Sequence, residues 1–225
     1  MKWNKVMLIT CIIGGILLLK IMLSVTNIFR YYKIPVIVNE PTIRKGSYVF
    51  CSRFATPKVL DFICFRGITP NGNETLLFRL CGLPGDIVEI KNGMLFINGV
   101  NVDDKLELKN EYVISEREFY KSAALQNEED LYILRTTSDS LIIFLSKTFI
   151  KNENIDARQV IFPTSYLDSA IYQVFKRNWN QDQFGPITIP ADKFFVLGDN
   201  RHNALDSRYL GLIDKKDFLS TVVIP

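Results

Sequence analysis

The sequence between residues 198 and 211 reads Gly198-Asp199-Asn200-Arg201-His202-Asn203-Ala204-Leu205-Asp206-Ser207-Arg208-Tyr209-Leu210-Gly211. It follows a short β-type run, Phe194–Leu197, so we expect it to form the loop after a strand. Asp206 and Arg208 carry opposite charges two residues apart and are expected to form a structural ion pair. We expect Gly198 to serve a turn, and His202, which has no obvious partner, to lie exposed in the loop.

Most of the chain after residue 25 alternates short β-type runs with turn signals. The other runs are Tyr48–Ser52, Val59–Phe65, Thr75–Cys81, Ile87–Ile90 and Met94–Ile97. The turn signals are Asn92-Gly93 and Asn98-Gly99, which favour type I′ hairpin turns, and Leu83-Pro84-Gly85-Asp86, which has Pro second and Gly third. The pattern predicts a mainly β fold.

The pattern changes between Val102 and Gln181, where charged and mixed segments replace the short runs. Within Asp139–Phe149, apolar residues recur at helical spacing, which predicts a helix there. The run Phe184–Pro190, rich in Gly and Pro, marks the return to the sheet. We therefore expect an inserted α/β subdomain over residues 102–181, and a β core formed by residues 26–101 and 182–225.

The N-terminal run Val6–Val25 is apolar and, as a helix, would be about 30 Å long, the thickness of a bilayer core. Lys20 lies toward one end of the run, where its long side chain can reach the interface. A cleaved signal peptide is the alternative, because Lys2 and Lys5 precede the apolar run, but Ser24-Val25-Thr26 is a poor cleavage site. We predict a transmembrane anchor over residues 6–25, with residues 1–5 in the cytoplasm.

Charge and composition exclude several classes of function. The chain has 27 basic and 24 acidic residues, a net charge of +3, and no basic stripe, which argues against binding to nucleic acid. The single histidine and the lack of C-x-x-C spacing exclude a standard zinc site, so we predict no metal and no cofactor. Cys11 lies in the apolar run, and the odd number left, Cys51, Cys64 and Cys81, argues against a complete disulfide framework.

Three segments, in order, resemble the signature boxes of bacterial signal peptidase I. The first family box, I-P-S-G-S-M-x-P-T, is matched by Ile34-Pro35-Val36-Ile37-Val38-Asn39-Glu40-Pro41-Thr42. The second, K-R-x-x-G-L-P-G-D, is matched by Phe78-Arg79-Leu80-Cys81-Gly82-Leu83-Pro84-Gly85-Asp86, and the third, G-D-N-R-x-N-S-x-D-S-R-x-x-G, by residues 198–211. Arg177-Asn178-Trp179-Asn180, followed by Phe184-Gly185-Pro186, is similar to Bacteroidetes-type members.

The resemblance implies a signal peptidase I-like antiparallel β core, and a serine nucleophile activated by a neutral, buried lysine. Here the nucleophile position is Val38, which has no hydroxyl, and the base position is Phe78, which cannot accept a proton. The two supporting serines of the family correspond to Val36 and Ala204. Because loss of the nucleophile or the base of a serine protease lowers kcat about a million-fold, we expect no intact catalytic residue and background activity only.

The positions that the family uses as scaffold are, in contrast, kept. They are Pro41, Thr42, Arg79, Gly85, Asp86, Gly198, Asp199, Asn200, Arg201, Asp206, Ser207 and Arg208. A relocated nucleophile is the alternative: Thr42, Ser47 and Cys51 follow the first box and Lys45 is near, although each lies in a different register from the family's serine.

The leading hypothesis is a catalytically inactive signal peptidase homologue of the protein-export pathway. It would be a single-pass protein of the plasma or inner membrane with its folded part on the extracytoplasmic side. Its partners would be signal peptides or exported preproteins, bound as an added strand, or an active signal peptidase. The first alternative is an active signal peptidase with a non-standard nucleophile or with residues supplied by another chain. The second is a structural envelope module whose groove is filled by Phe78 and Val38.

Overall fold

The computed structural model of the protein describes residues 5–25, 29–69, 72–128, 131, 133–135 and 139–224. Helix α1 spans Lys5–Val25. A search of the described residues finds no helix with the length and hydropathy needed to cross a membrane. Thr26 and residues 1–4 of the predicted cytoplasmic N-terminus lie outside the described residues.

Antiparallel strands are the main secondary structure of the described chain, which confirms the mainly β prediction. In chain order they are β1 (Phe29–Lys33), β2 (Tyr48–Ser52), β3 (Phe62–Thr69), β4 (Gly72–Gly82), β5 (Ile87–Lys91), β6 (Met94–Ile97), β7 (Val100–Asn101), β8 (Lys109–Ser115), β9 (Ile133–Arg135), β10 (Ser140–Ser146), β11 (Arg158–Gln159), β12 (Gln183–Thr188), β13 (Lys193–Leu197), β14 (Ile213–Asp214) and β15 (Phe218–Ile224). The short helices are α2 (Glu116–Lys121), α3 (Ala123–Asn127), α4 (Lys147–Asn152), α5 (Ser169–Phe175) and α6 (Ser207–Leu210).

The strands form three sheets among the described residues. The largest has the order β1-β2-β15-β3-β4-β13-β14, and a smaller one has the order β12-β5-β6-β7. The third, β11-β8-β10-β9, is built wholly from residues within 102–181. The last strand, β15, lies between β2 and β3, so the C-terminal segment is part of the same sheet as the strands nearest α1. Whether residues 102–181 form a separate subdomain stays a prediction.

The turns have the conformations that their residues favour. Both residues of each Asn-Gly pair have positive φ, 50° and 74° at Asn92-Gly93 and 52° and 79° at Asn98-Gly99. They join β5 to β6 and β6 to β7 as two-residue hairpins, as predicted. Gly85 has a φ of 88°, and the amide of Asp86 donates to the carbonyl of Leu83 at 3.0 Å, which confirms the predicted turn.

The helix predicted within Asp139–Phe149 is wrong for most of its length. Residues 140–146 form β10, and helix begins only at Lys147. Four of the seven residues of β10 are buried apolar side chains, from both faces of the strand. A strand covered on both faces has no two-residue alternation, so its apolar residues can match helical spacing by chance. Ser146, whose hydroxyl accepts from the amide of Phe149 at 3.1 Å, then caps α4.

Strand β3 begins at Phe62, three residues later than the predicted run from Val59. Leu60 has a φ of 74°, a left-handed conformation that cannot continue a strand. The carbonyl of Leu60 instead accepts a hydrogen bond from the side chain of Arg79, at 2.7 Å. Because β3 begins late, the carbonyl of Leu60 is available to help position Arg79.

Candidate functional site

A buried ion pair connects the three segments that resemble the family boxes. Arg79, in β4, donates to both carboxylate oxygens of Asp199, at 2.7 and 2.5 Å. The hydroxyl of Thr42 donates to the same carboxylate at 2.5 Å and accepts from Arg79 at 3.2 Å. The guanidinium also lies 4.2 Å from the ring centre of Phe62. A residue of each segment thus takes part in one polar network, and these bidentate, charge-assisted bonds fix its geometry.

Backbone contacts bring the first and third segments closer still. The amide of Asn200 donates to the carbonyl of Val38 at 3.0 Å. A Cβ atom added to Gly198 would lie 2.5 Å from the Cβ of Ala204 and 2.6 Å from the carbonyl oxygen of Val38. Gly198 follows β13 outside any turn and does not have a positive φ, so the prediction that it serves a turn is wrong. It is glycine because the backbones of two segments meet there.

The four positions where the family has catalytic groups lie around this meeting point. Phe78 is 5% exposed and belongs to one apolar cluster with Ala204, against which Val38 packs. The Phe78 ring lies 3.6 Å from the position of a Cβ on Gly198. Val36 is more exposed, at 48%. The structure therefore brings Val38, Phe78 and Ala204 together, so an aromatic ring and alkyl groups meet there. None of them can attack a carbonyl or accept a proton.

An open groove of about 650 Å³ runs past these side chains. The apolar part of its wall comes from the first segment, from β3 and β4, and from the third segment: Ile34, Pro35, Val36, Val38, Ile68, Leu76, Leu77, Phe78, Ala204, Leu205 and Leu210. Phe78 and Val38 line this groove without filling it, so the expectation that they close it is wrong.

The third segment is fixed by its own ion pair and by hydrogen bonds with backbone amides at the end of β13. Arg208 donates to both oxygens of Asp206, at 2.9 and 2.8 Å, which confirms the predicted ion pair. Asp206 also accepts from the amide of Gly198 at 3.1 Å, and the hydroxyl of Ser207 accepts from the amide of Val196 at 2.9 Å. Desolvation by burial lowers the pKa of Arg208, but the charge and hydrogen bond of Asp206, with smaller contributions from Tyr209 and Asp182, together raise it above its ordinary value.

His202 does not lie exposed, contrary to the prediction. Its side chain is 1% exposed, and its Nε2 lies 2.9 Å from Oδ1 of Asp182, which belongs to the chain just before β12. Its Nδ1 accepts from the amide of Glu111, in β8, at 3.2 Å. Both ring nitrogens are thus engaged in holding three segments together. The imidazole is therefore a packing element here and is not free to act as a general base.

The side chains considered as a relocated nucleophile have partners other than lysine among the contacts that the structure describes. The hydroxyl of Thr42 is held by Asp199 and Arg79, and that of Ser47 donates to the carbonyl of Arg44 at 2.6 Å. Cys51 is buried, with its sulfur 3.6 Å from that of Cys64. The hydrogen bond with Cys64 lowers the pKa of the Cys51 thiol, whereas the same contact and burial raise the pKa of Cys64, and burial raises that of Cys81 to about 12. Neither Cys64 nor Cys81 is therefore a thiolate at neutral pH.

The sequence boxes do not predict several contacts of the site. Arg201 forms a bidentate pair with Asp103, both distances 2.7 Å, and Lys109 lies 2.9 Å from Glu40. Asn39 donates from its side chain to the carbonyl of Leu77, at 2.7 Å. No local spacing in the sequence predicts these pairs, because the partners are 38 to 98 residues apart. In the part of the chain that the structure describes, no cluster of three His, Cys, Asp or Glu side chains could hold a metal ion.

Comparison with known proteins gives a consistent set of relatives. The model of the family described as signal peptidase, peptidase S26, matches residues 2–225. Signal peptidase I P of Bacillus subtilis subsp. natto is 30% identical over 221 residues, covering 96% of this chain and 83% of that protein. Signal peptidase I of Buchnera aphidicola subsp. Baizongia pistaciae is 28% identical over 223 residues, covering 88% and 69%. A crystal structure of a signal peptidase I from Enterococcus faecalis V583 aligns with a TM-score of 0.35 and 23% identity, covering 75% of this chain and 98% of that one.

The Asp206→Ala substitution is expected to lower the free energy of unfolding by about 3–5 kcal/mol, because it leaves the buried guanidinium of Arg208 without its carboxylate. Denaturant unfolding of the full chain in a neutral detergent measures the change. The matched control is Asp104→Ala, which removes an exposed carboxylate and should change stability by no more than about 0.5 kcal/mol. Equal effects of the two substitutions would contradict the role given to Asp206.

The Gly198→Ala substitution is expected to destabilise the chain by about 1–3 kcal/mol, because its methyl group would clash with the backbone of Val38 and with Ala204. Thermal unfolding followed by near-UV circular dichroism is the measurement. Gly14→Ala is the control, since nothing lies within 4 Å of a Cβ at that position. A Gly198→Ala chain as stable as the parent would show that the two segments are not in contact.

Proposed function

The chain belongs to the signal peptidase family, peptidase S26, and from that membership we propose that it binds signal peptides or exported preproteins without cleaving them. The observation that carries the proposal is the meeting of Val38 and Phe78 beside an open groove. The groove supplies a place for a peptide, and the two side chains supply no nucleophile and no base. Binding without chemistry is the function that this combination supports best.

The edge of β4 offers the means of binding. Strand β13 pairs with β4 only at residues 79–82, so on that side residues 72–78 form no ladder in the described part of the chain. The carbonyl of Leu77 accepts from Asn39 and so points away from β3, toward the first segment. Because backbone groups alternate along a strand, those of Thr75 point the same way. An extended peptide could add there as a further strand, a mode of recognition that needs no catalytic group.

The chemistry of the groove suits an apolar segment. Its wall beside β4 carries Leu76, Ile68 and Val36, and Tyr209 lines the far side. Burial raises the pKa of Tyr209 to about 12, so the phenol is uncharged at neutral pH. A segment rich in apolar and small residues would bury its side chains against this wall, while its backbone pairs with β4.

The proposal includes the membrane. The apolar composition of residues 6–25 and the basic residues before them support a single anchor with its N-terminus in the cytoplasm. The folded part would then lie on the extracytoplasmic side of the plasma or inner membrane, where exported preproteins emerge. An active signal peptidase is a candidate partner, because a chain that holds a preprotein without cutting it could pass it to an enzyme that does.

We predict that the full chain in neutral detergent binds a signal peptide and leaves its mass unchanged. Val36→Arg should weaken binding about tenfold or more, since a bound apolar segment would cover the new charge. Val100→Arg is the control, because Val100 is also exposed and lies in β7, away from the groove. Fluorescence anisotropy of a labelled peptide gives the affinity, and mass spectrometry gives its integrity. Cleavage at one site would favour an active peptidase, and absence of binding would favour a structural module.

We expect the combined substitutions Val38→Ser and Phe78→Lys to create some serine-type cleavage, and further addition of Val36→Ser and Ala204→Ser to increase it. The new amine would lie among apolar neighbours such as Phe65 and Leu80, which lowers its pKa and leaves part of it neutral. Cleavage should rise with pH, because only the neutral amine accepts the proton. The Phe78→Lys chain alone is the inactive control. A well-folded quadruple variant without any cleavage would contradict the intact geometry of the site.

A further inference from the structure

A second cleft, of about 370 Å³, lies at one end of the large sheet and is strongly basic. Its charged lining consists of Arg30, Arg53, Arg66 and Lys216 against the single carboxylate of Glu74. These five groups give the cleft a net charge of about +3 at neutral pH. The chain as a whole carries only +3 over 225 residues, so this small region concentrates positive charge.

The sheet topology explains why residues so distant in sequence meet there. Neighbouring strands in the order β1-β2-β15-β3-β4 are all antiparallel. The start of β1, the end of β2, the start of β15, the end of β3 and the start of β4 therefore lie at the same end of the sheet. Each of these five strand ends carries one of the five charged residues.

Few carboxylates pair with the basic groups of the cleft in the part of the chain that the structure describes. There, no carboxylate forms an ion pair with Arg30, Arg53 or Arg66. Lys216 has a loose contact of 3.7 Å with Asp214. Ser220 also lines the cleft, but its hydroxyl is buried beside the thiols of Cys51 and Cys64. The cleft thus presents unbalanced positive charge.

Exposed apolar side chains surround this end of the sheet. Phe54 is 76% exposed and Ile68, which also lines the groove, is 79% exposed, and each lies near the end of its strand at this same edge. Phe29, the first residue of β1, stacks on Phe50 with a ring separation of 5.3 Å. Cations combined with exposed aromatic and aliphatic groups are typical of a surface that contacts the headgroup region of a membrane.

We propose that the cleft formed by Arg30, Arg53, Arg66 and Lys216 binds the phosphate of an anionic phospholipid. A guanidinium group can donate two hydrogen bonds to the oxygens of one phosphate. Each Lys or Arg near an anionic membrane surface also adds to the electrostatic attraction between protein and membrane. The location suits this ligand, because helix α1 ends at Val25 and the chain from there to Arg30 can span at most about 18 Å. This last step rests on the proposed anchor. Lipid binding at the cleft relies on its basic side chains, whereas peptide binding relies on the apolar wall of the groove, and Glu74 and Thr75 line both.

The test uses the purified full chain in a neutral detergent, given equal amounts of phosphatidylglycerol and phosphatidylcholine with the same acyl chains. Native mass spectrometry counts which lipid stays bound. The parent chain should retain phosphatidylglycerol in preference. Combining Arg30→Gln, Arg53→Gln and Arg66→Gln should reduce that preference about tenfold or more. The matched control removes the same charge from exposed residues elsewhere, by combining Arg117→Gln, Lys151→Gln and Arg177→Gln. This control should keep the preference for phosphatidylglycerol.

Three outcomes would overturn the proposal. The parent chain could show no preference for phosphatidylglycerol, or both triple variants could lose it equally, which would indicate only a general effect of net charge. Inorganic phosphate could displace the lipid at equal concentration, which would mean that the cleft binds free phosphate and not a lipid headgroup. Signal-peptide binding, measured on the same preparations, should be unchanged by either triple variant, so failure of the peptide-binding proposal would be recognised separately.

Discussion

The bidentate contact between Arg79 and Asp199 is the constraint on which the rest of the site depends. Both groups are buried, and a buried charge that loses its partner costs several kcal/mol, so neither can change alone. Thr42 completes the network from the first segment. Since the ion pair fixes β4 against the third segment, it also fixes how Phe78, Val38 and Ala204 meet. The frame is therefore needed for folding, whether or not the chain cleaves anything.

At the positions aligned with the family's dyad, Val38 and Phe78, the residue that favours stability differs from the residue that catalysis requires. An active enzyme must keep a lysine amine neutral in an apolar cluster, and burial of such a group is costly. A phenyl ring in the same place packs against Phe65 and gains free energy from burial. Where no catalytic role is required, phenylalanine at this position therefore favours stability more than lysine would. The frame and the groove do not depend on a serine or a lysine at these positions.

The hairpins could be predicted from the sequence because their determinants are local. The three segments that meet at the site could be predicted because each resembles one of the family's signature boxes. Asn-Gly pairs fix their own turns, and the ion pair of Asp206 with Arg208 spans two residues. The role of His202 could not be predicted, because its partners, Asp182 and the amide of Glu111, come from other segments. The strand β10 was missed because both of its faces are covered. The basic cleft was missed because its charges meet only through strand order.

The most direct test of the central claim is hydrogen–deuterium exchange of the full chain, measured with and without a preprotein that carries a signal peptide. The mass of the preprotein is read in the same experiment. If the groove binds a peptide as an added strand and lacks a nucleophile, the amides of Leu77 and Thr75 in β4 should exchange more slowly with the preprotein present, and its mass should stay intact. Unchanged exchange along residues 72–78, or the appearance of a cleaved preprotein, would contradict the account.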